Sequence, residues 1–207
     1  MTERKKYELT DEFIEHWSGK KLYRIKALID FGLVVAGSLG GFVESENNLD
    51  HNGNAWVYGN ARVYGNARVY GNARVYGDAR VYGDARMYGD ARVYGNARMY
   101  GDARVYGNAR VYGDARVYGN ARVYGNARVY GNAEVCEQRS VIWFSVVGTE
   151  NGTLTIYKSK DGSLLATRGC FSGTVDEFLA KSAQVHDEKT KREYELLIEV
   201  AKSRILG

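Results

Sequence analysis

Apolar and polar residues alternate with a strict period of six through the middle of the chain. Thirteen consecutive hexads run from Val57 to Ala133, each with Val or Met first, then Tyr, Gly, Asn or Asp, and Ala. Arg completes the first twelve hexads, and Glu134 completes the thirteenth. In a strand of the form Ala-Arg-Val-Tyr, Ala and Val point to one side while Arg and Tyr point to the other. Gly with Asn or Asp tolerates positive φ and forms the corner that follows.

A period of six fits neither the 3.6 residues of a helical turn nor a heptad, and it predicts a solenoid. Three hexads close a triangular coil of eighteen residues, and coils stack about 4.8 Å apart. A hexad can bury its Ala and Val only against neighbouring coils, so no coil is stable alone. The chain contains no proline, which is consistent with backbone N–H groups being engaged by adjacent coils.

The aliphatic residue followed four positions later by a small one, as in Val57 and Ala61, resembles the hexapeptide-repeat signature of left-handed parallel β-helices. The predicted fold class is therefore mainly β. It consists of a left-handed parallel β-helix, a triangular solenoid with eighteen residues per coil, with an N-terminal β cap and a small C-terminal α+β domain.

The segments that flank the hexads predict a three-part organisation. We predict an N-terminal β-hairpin cap at 1–30, the β-helix at 31–140 with regular hexads at 57–134, and a C-terminal β-β-β-α-α domain at 141–207. The predicted cap strands are Lys6–Thr10 and Lys21–Leu28, around a turn at Trp17-Ser18-Gly19. The predicted C-terminal elements are strands Val141–Val147, Thr153–Lys158 and Leu164–Arg168 and helices Val175–Gln184 and Asp187–Ile205. Thr174 and Glu177 predict a capping box at the first of these helices.

The hexad phase also extends outward from the regular repeats. It predicts imperfect coils from about residue 31, with Phe31, Leu33, Leu39 and His51 in inward positions. Arg139 falls in an inward position at the other end, where we expect the coil to stop. These limits predict about six turns and a rod about 30 Å long.

Positive charge is concentrated on the hexads. Of the net charge of +4, the twelve Arg and five Asp of residues 57–133 contribute +7, and both flanks are slightly negative. We expect each face to carry an Arg column beside a Tyr column. The candidate anion- or partner-binding residues are Arg62, Arg80, Arg98 and Arg116, beside Tyr58, Tyr76, Tyr94 and Tyr112. Arg beside aromatic rings suits polyanions, while the alternative is an Arg surface that only solubilises the repeat.

Corner residues eighteen positions apart should stack on one another. Asn and Asp alternate perfectly in one column, at positions 60, 78, 96, 114 and 132, and both residue types occur in the other two, so Asn amides can hydrogen-bond from coil to coil. Only Asp84 and Asp102 place like charges on neighbouring coils. The alternation is explained either by this amide ladder or by chance.

The remaining chemistry is sparse. The two cysteines form no CxxC pair, so neither a disulfide framework nor a zinc site is indicated. His51 is expected to be a buried structural residue, and His16 and His186 lie in flanking segments. We therefore predict no catalytic, cofactor-binding or metal-binding residues. The charged start has no secretory pattern and no apolar run is long enough for a bilayer, which predicts a cytoplasmic protein without a membrane partner.

Both flanks resemble proteins of phages and prophages. The segments that carry the likeness are residues 7–10, 22–28, 30–32, 37–44 and 54–58, and residues 168–174 with 176–178. The first group is similar to the opening of the enterobacterial YdcK-type proteins, which are named as transferases. The second group is similar to a small C-terminal domain of phage-encoded proteins. The resemblance implies a phage origin and a β-helix more than a particular activity.

Three functions remain open. The first is a non-catalytic β-solenoid scaffold that binds a host protein, for example to modulate host defence. The second is binding of nucleic acid, a nucleotide or another polyanion through the Arg and Tyr columns. The third is a hexapeptide-repeat acyltransferase, the one enzyme class that the repeat resembles; such enzymes generally form trimers. Tyr-rich faces are also compatible with a homodimer or homotrimer.

Overall fold

The structure is a computed structural model that describes residues 5–207. Its centre is a parallel β-solenoid of about five turns with about eighteen residues per turn, which confirms the predicted fold class. Two strands of a hairpin, β1 (Tyr7–Glu15) and β2 (Lys21–Ala27), precede it, and β3 (Leu39–Val43) joins the hairpin to the first coil. The predicted cap strands and their turn are thus confirmed, with β1 continuing beyond its predicted end at Thr10.

Fourteen two-residue strands form the coils. They are β4 (Trp56–Val57), β5 (Arg62–Val63), β6 (Arg68–Val69), β7 (Arg74–Val75), β8 (Arg80–Val81), β9 (Arg86–Met87), β10 (Arg92–Val93), β11 (Arg98–Met99), β12 (Arg104–Val105), β13 (Arg110–Val111), β14 (Arg116–Val117), β15 (Arg122–Val123), β16 (Arg128–Val129) and β17 (Glu134–Val135). They form three parallel faces. The first face contains β3, β5, β8, β11, β14 and β17 and continues into the hairpin; the second contains β4, β7, β10, β13 and β16; the third contains β6, β9, β12 and β15.

The interior of the solenoid is a continuous apolar column. The Ala and the Val or Met of every hexad are at most 1% exposed, so each hexad buries its two inward side chains as the alternation predicts. Burial of one Val contributes about 1.5 kcal/mol or more. The corners require glycine: Gly89 has φ +67°, and a Cβ there would lie 3.0 Å from the amide nitrogen of Gly107 on the next coil.

The hydrogen bonds that flank the paired strands run in one direction along the rod. The Arg80 amide donates to the Ala97 carbonyl at 2.9 Å, and the Tyr82 amide donates to the Met99 carbonyl at 2.9 Å. The same pattern repeats from coil to coil. At these flanking positions, the start of the rod therefore presents Ala and Val carbonyls and its end presents Arg and Tyr amides.

The first coil is longer than the others and starts later than predicted. Val43 pairs with Val63, a separation of 20 residues, whereas Val57 pairs with Val75, a separation of 18. Leu49 pairs with Val69, so the two extra residues lie between Leu49 and Val57.

The extra residues correct several predictions. His51 lies in the enlarged corner and not in an inward position. Phe31 pairs with Val34 in a local antiparallel bridge outside the coils, and Leu33 and Leu39 are exposed. The coils therefore begin near Leu39 and not near residue 31, and about five turns rather than six give a rod about 24 Å long.

The C-terminal region is an antiparallel sheet covered by two helices. Its elements are β18 (Val141–Val147), β19 (Gly152–Lys158), β20 (Leu164–Arg168), β21 (Phe171–Thr174), α1 (Val175–Val185) and α2 (Glu188–Leu206). The predicted three-stranded arrangement is wrong, because β21 adds a fourth strand beside β20. The capping box is confirmed: Thr174 Oγ1 accepts from the Glu177 amide at 3.2 Å, and Glu177 Oε2 accepts from the Thr174 amide at 2.7 Å.

Two separate hydrophobic cores run through the molecule. One follows the solenoid from Tyr7 to Val141 and includes Tyr157, while the other lies between the C-terminal sheet and its helices. Short 3-10 turns at Glu46–Asn48 and Gln138–Ser140 stand near the two ends of the coils. Neither helix of the described residues is long and apolar enough to cross a membrane.

Candidate functional site

The predicted Arg columns are present on the solenoid. On the first face, Arg62, Arg80, Arg98 and Arg116 pair directly with one another in parallel register. They point outward because the Ala and Val on either side of each Arg point inward. The backbone positions of these Arg residues are about 4.8 Å apart in this register.

The Tyr rings form columns in which most neighbouring rings stack, although Tyr76 and Tyr94 meet edge to face at 6.5 Å and Tyr112 and Tyr130 are tilted by 51°. Tyr82 and Tyr100, for example, have centroids 5.0 Å apart and planes at 8°, and Tyr94 and Tyr112 are 4.8 Å apart at 2°. Burial raises the pKa of Tyr82, and neighbouring Arg side chains oppose that rise. Where the ring faces cover each other, a ligand meets mainly ring edges and hydroxyl groups.

The structure places the predicted Arg and Tyr columns on different faces. Tyr58, Tyr76, Tyr94 and Tyr112 follow the strands of the second face, whereas the column of Arg62 belongs to the first face. Each Tyr precedes the glycine corner and the next Arg follows it, so the corner separates the two side chains. The side chains beside the Arg62 column are Tyr64, Tyr82, Tyr100 and Tyr118, and those beside the Tyr58 column are Arg74, Arg92, Arg110 and Arg128. The expectation that the named columns share a face is therefore wrong.

The repeat Arg side chains carry uncompensated charge. Within residues 5–207, none of the twelve has a carboxylate oxygen within 4.0 Å. Three of the five corner Asp residues accept hydrogen bonds from Asn side chains of the preceding coil instead; Asp84, for example, accepts from Asn66 Nδ2 at 3.0 Å. The +7 of the hexads is consequently displayed across all three faces, and Glu134, in register with Arg116, is the acidic residue at the end of the first face's Arg column.

The corners confirm the predicted amide ladder. Asn54 donates to Asn72 at 3.0 Å, Asn72 donates to Asp90 at 3.2 Å, and Asn96 donates to Asp114 at 3.1 Å. In each bond the amide belongs to the earlier coil and the acceptor to the later coil. This arrangement accounts for Asn and Asp at the corners in structural terms.

The third face differs from the other two because both of its ends are recessed. At its start, Arg68, Arg86 and Tyr70 line a pocket of about 460 Å³ with the enlarged corner around His51. At its end, a pocket of about 480 Å³ lies between the Tyr106–Tyr124 column and Trp143, with Arg204 of α2 at its edge.

The sequence indicated neither pocket on the third face, because the enlarged corner and α2 both lie outside the regular hexads.

The three histidines lie in three different environments. His16 is in the hairpin turn, where Nδ1 lies 2.7 Å from Ser18 Oγ. The His51 ring stacks on Tyr7 at 4.3 Å, and its Nδ1 accepts from the Lys6 amide at 3.2 Å. His186 Nδ1 lies 3.1 Å from Ser182 Oγ at the end of α1. Across residues 5–207, no three His, Cys, Asp or Glu side chains form a group that could hold a metal ion.

The coils match a known repeat family. Overlapping copies of the family described as YdcK Beta solenoid repeat match residues 55–101 and 103–137. The chain is thus similar to this family along its coils, while the hairpin and the C-terminal region lie outside the match. No curated protein matches the sequence.

Proposed function

We propose that the protein is a non-catalytic β-solenoid scaffold that binds a partner protein through its C-terminal region. The main support is the second hydrophobic core, which contains Leu154, Phe178, Tyr194 and Ile198 and is separate from the core of the coils. Closing the last coil requires only the inner surface of the C-terminal sheet. Two helices packed on the outer side of that sheet build a surface that a simple cap does not need.

The solenoid suits the role of a rigid spacer. Ala and Val fill its interior, and the hexads continue from Val57 to Ala133 without an inserted loop that could enclose a substrate. About five stacked coils hold the hairpin and the C-terminal region at a constant separation. The rod thus supports presentation of a binding surface rather than chemistry within the coils.

Apolar side chains on the outer helices supply a candidate contact surface. Leu196 and Val200 are four residues apart on α2 and are 44% and 53% exposed. Residues at this spacing lie on the same side of a helix. Arg204 continues the same line and adds a positive charge.

The identity of the partner is inferred from the resemblance. Phage-like segments in both flanks suggest a protein that acts inside a host cell, so we propose a host protein as the partner. A component of host defence is the first class of partner to examine. A homodimer or homotrimer through the Tyr columns is a further arrangement compatible with this role.

Affinity capture from host lysate, with and without nuclease, tests this proposal if the bait is compared with two variants. Leu196→Glu with Val200→Glu alters α2, and Arg80→Glu with Arg98→Glu alters the first face by the same number of substitutions. We expect a stoichiometric protein that the α2 variant loses and the Arg variant retains. Absence of a stoichiometric protein, or its retention by both variants, would contradict the proposed role of α2.

Polyanion binding is the second candidate, and the unpaired Arg side chains favour it. Its expected signature is affinity that falls steeply with salt, since each neutralised phosphate releases counterions. Titration of single-stranded DNA between about 50 and 200 mM salt measures this slope, and Arg80→Glu with Arg98→Glu should weaken binding. Salt-independent binding would remove this candidate. The acyltransferase alternative rests on the likeness of the repeat alone, and we do not propose it.

A further inference from the structure

The C-terminal region contains a pocket that capping of the solenoid does not use. Its volume is about 310 Å³, and it lies between the loop after β18, the end of β20 and the helix α1. Phe171, Phe178 and Tyr194 form an apolar wall in which successive rings meet edge to face, with centroids 5.3 and 4.9 Å apart. Pockets of this size with an aromatic wall and a few polar groups suit small ligands or single side chains.

Arg168 provides the main polar group of this pocket. Its side chain is 11% exposed, and its Nη2 donates to the Val147 carbonyl at 3.1 Å. Its Nε is buried without a hydrogen-bond partner within the described part of the chain. Glu150 Oε2 lies 3.6 Å from Nη1, too far for a hydrogen bond, and its side chain is 82% exposed.

The backbone keeps room for the Arg168 guanidinium. It lies against Gly152, in space that the Cβ of any other residue would fill. A guanidinium that is held in place and has free N–H groups can bind a carboxylate through two parallel hydrogen bonds. The Nε without a partner shows that the described residues leave part of the donor capacity of Arg168 unused.

Charge selects the type of anion. Arg168 and Lys181 bring two positive charges to the pocket wall, and Glu150 brings one negative charge, so these three side chains sum to +1. Lys181 also lies over the Phe171 ring at 5.7 Å. A monoanion balances this charge better than a phosphate dianion.

We propose that this pocket binds a carboxylate attached to an apolar group, with the carboxylate on Arg168 and the apolar group against Phe171 and Phe178. Either a small carboxylic acid or the C-terminal residue of a peptide has this chemistry. The proposal is independent of the scaffold role, because it concerns ligand binding to the protein alone.

The test is titration of the full-length protein with 3-phenylpropionate and with a peptide that ends in Phe with a free carboxylate. The amides of both compounds serve as matched controls. Isothermal titration gives the affinity, and the alkylation rate of Cys170, which lines the pocket, gives an independent readout with Cys136 as the internal reference. We expect binding of at least one acid, weaker binding of its amide by about tenfold or more, and slower alkylation of Cys170 only.

Two variants distinguish a specific site from general attraction. Lys181→Glu should weaken acid binding about fivefold or more, whereas Lys158→Glu, the same charge change outside the pocket, should not. Arg168→Lys keeps the charge and removes the two parallel N–H groups, so it should weaken binding without unfolding the region.

Binding of the small acid without the peptide assigns a small-molecule ligand, and binding of both assigns a peptide end. No binding of either acid, equal binding of acids and amides, or equal effects of Lys181→Glu and Lys158→Glu would each overturn the proposal.

Discussion

The two ends of the solenoid expose different backbone groups, and the protein closes them with different chemistry. The start presents Ala and Val carbonyls, and there the Lys6 ammonium donates to the Ala55 carbonyl at 2.9 Å. The Tyr7 hydroxyl donates to the Leu49 carbonyl at 2.7 Å. Both closing groups at this end are donors.

The last coil shows the opposite arrangement. The Arg128 amide donates to Thr155 Oγ1 at 3.0 Å, and the Tyr130 amide donates to the Tyr157 hydroxyl oxygen at 3.1 Å. Thr167 Oγ1 also donates to the Arg128 carbonyl at 2.7 Å, so this end combines two acceptors with one donor. Side-chain hydroxyls thus take the place that the backbone of another coil would occupy.

A tyrosine hydroxyl serves at both ends, but it donates at the start and accepts at the end. This difference shows that the hydrogen-bonding groups of each cap are matched to the direction of the inter-coil hydrogen bonds. A cap therefore does more than shield the apolar interior of the last coil. An open end would leave backbone groups available to a second molecule and favour end-to-end association. The caps therefore define a rod of finite length.

The largest effect is expected when the closing residue at the far end is removed. Tyr157 is fully buried, so Tyr157→Ala should lower the free energy of unfolding by about 3–5 kcal/mol. It should also cause concentration-dependent association through the open rung. Urea unfolding and light scattering measure these effects. Trp17→Ala, at a side chain that is 92% exposed, is the control and should change stability by no more than about 0.5 kcal/mol.

A matched pair of substitutions compares single hydrogen bonds at the two ends. Tyr7→Phe removes one donor and Thr155→Val removes one acceptor, each with little change of volume. Because a buried partner is left unsatisfied, each should cost about 1–2 kcal/mol in urea unfolding. If only one of the two substitutions lowers the free energy of unfolding, the hydrogen bonds of the two caps do not contribute equally to stability.

The start of the rod should also respond to pH through Lys6. Burial lowers the pKa of Lys6 from 10.5 to about 8, partly offset by Asp50. Between these values the unfolded chain binds more protons than the folded chain, so this contribution to stability rises with pH. From pH 7 to pH 9, the difference in unfolding free energy between wild type and Lys6→Met should shift by about 1 kcal/mol in favour of wild type.

Tyrosine ionisation acts in the other direction at higher pH. Burial raises the pKa of Tyr7 and Tyr157, so the unfolded chain loses these protons at a lower pH than the folded chain. Wild type and Lys6→Met should therefore both lose stability above about pH 10. A wild-type advantage that stays constant from pH 7 to pH 9 would contradict the role given to Lys6.

The smallest expected effect lies between the ends. Asp84 and Asp102 are the like charges on neighbouring coils, and Asn at position 84 could still accept from Asn66. Asp84→Asn should therefore stabilise the protein by no more than about 0.5 kcal/mol. Thermal unfolding checks the sign, with Asp114→Asn as the control because its neighbour Asn96 is uncharged. A loss of stability would show that Asp84 has another role.

The hexads made the solenoid predictable because one pattern specifies the strand, the corner and the stacking partner. The caps were less predictable. Two extra residues between Leu49 and Val57 move His51 out of its expected inward position. The sequence in this stretch has no regular hexads, so it does not reveal the two extra residues. The short strand Phe171–Thr174 was missed because it merges into the capping box of α1.

The candidate site was predictable in composition but not in arrangement. The hexads gave the outward positions of Arg62 and Tyr58 correctly, yet the corner between them puts these residues on different faces. Arg168 was not singled out, because the space left by Gly152 depends on strand pairing between β19 and β20. Tertiary contacts of this kind leave no periodic signal.

Native-state hydrogen exchange at the last rung tests the matched-cap account most directly. The amides of Arg128 and Tyr130 should exchange within about tenfold of those of Arg110 and Tyr112, which are bonded to the next coil. In a variant that carries both Thr155→Val and Tyr157→Phe, the two terminal amides should lose this protection while Arg110 and Tyr112 keep theirs. Rapid exchange of Arg128 and Tyr130 in the wild-type protein would contradict the account.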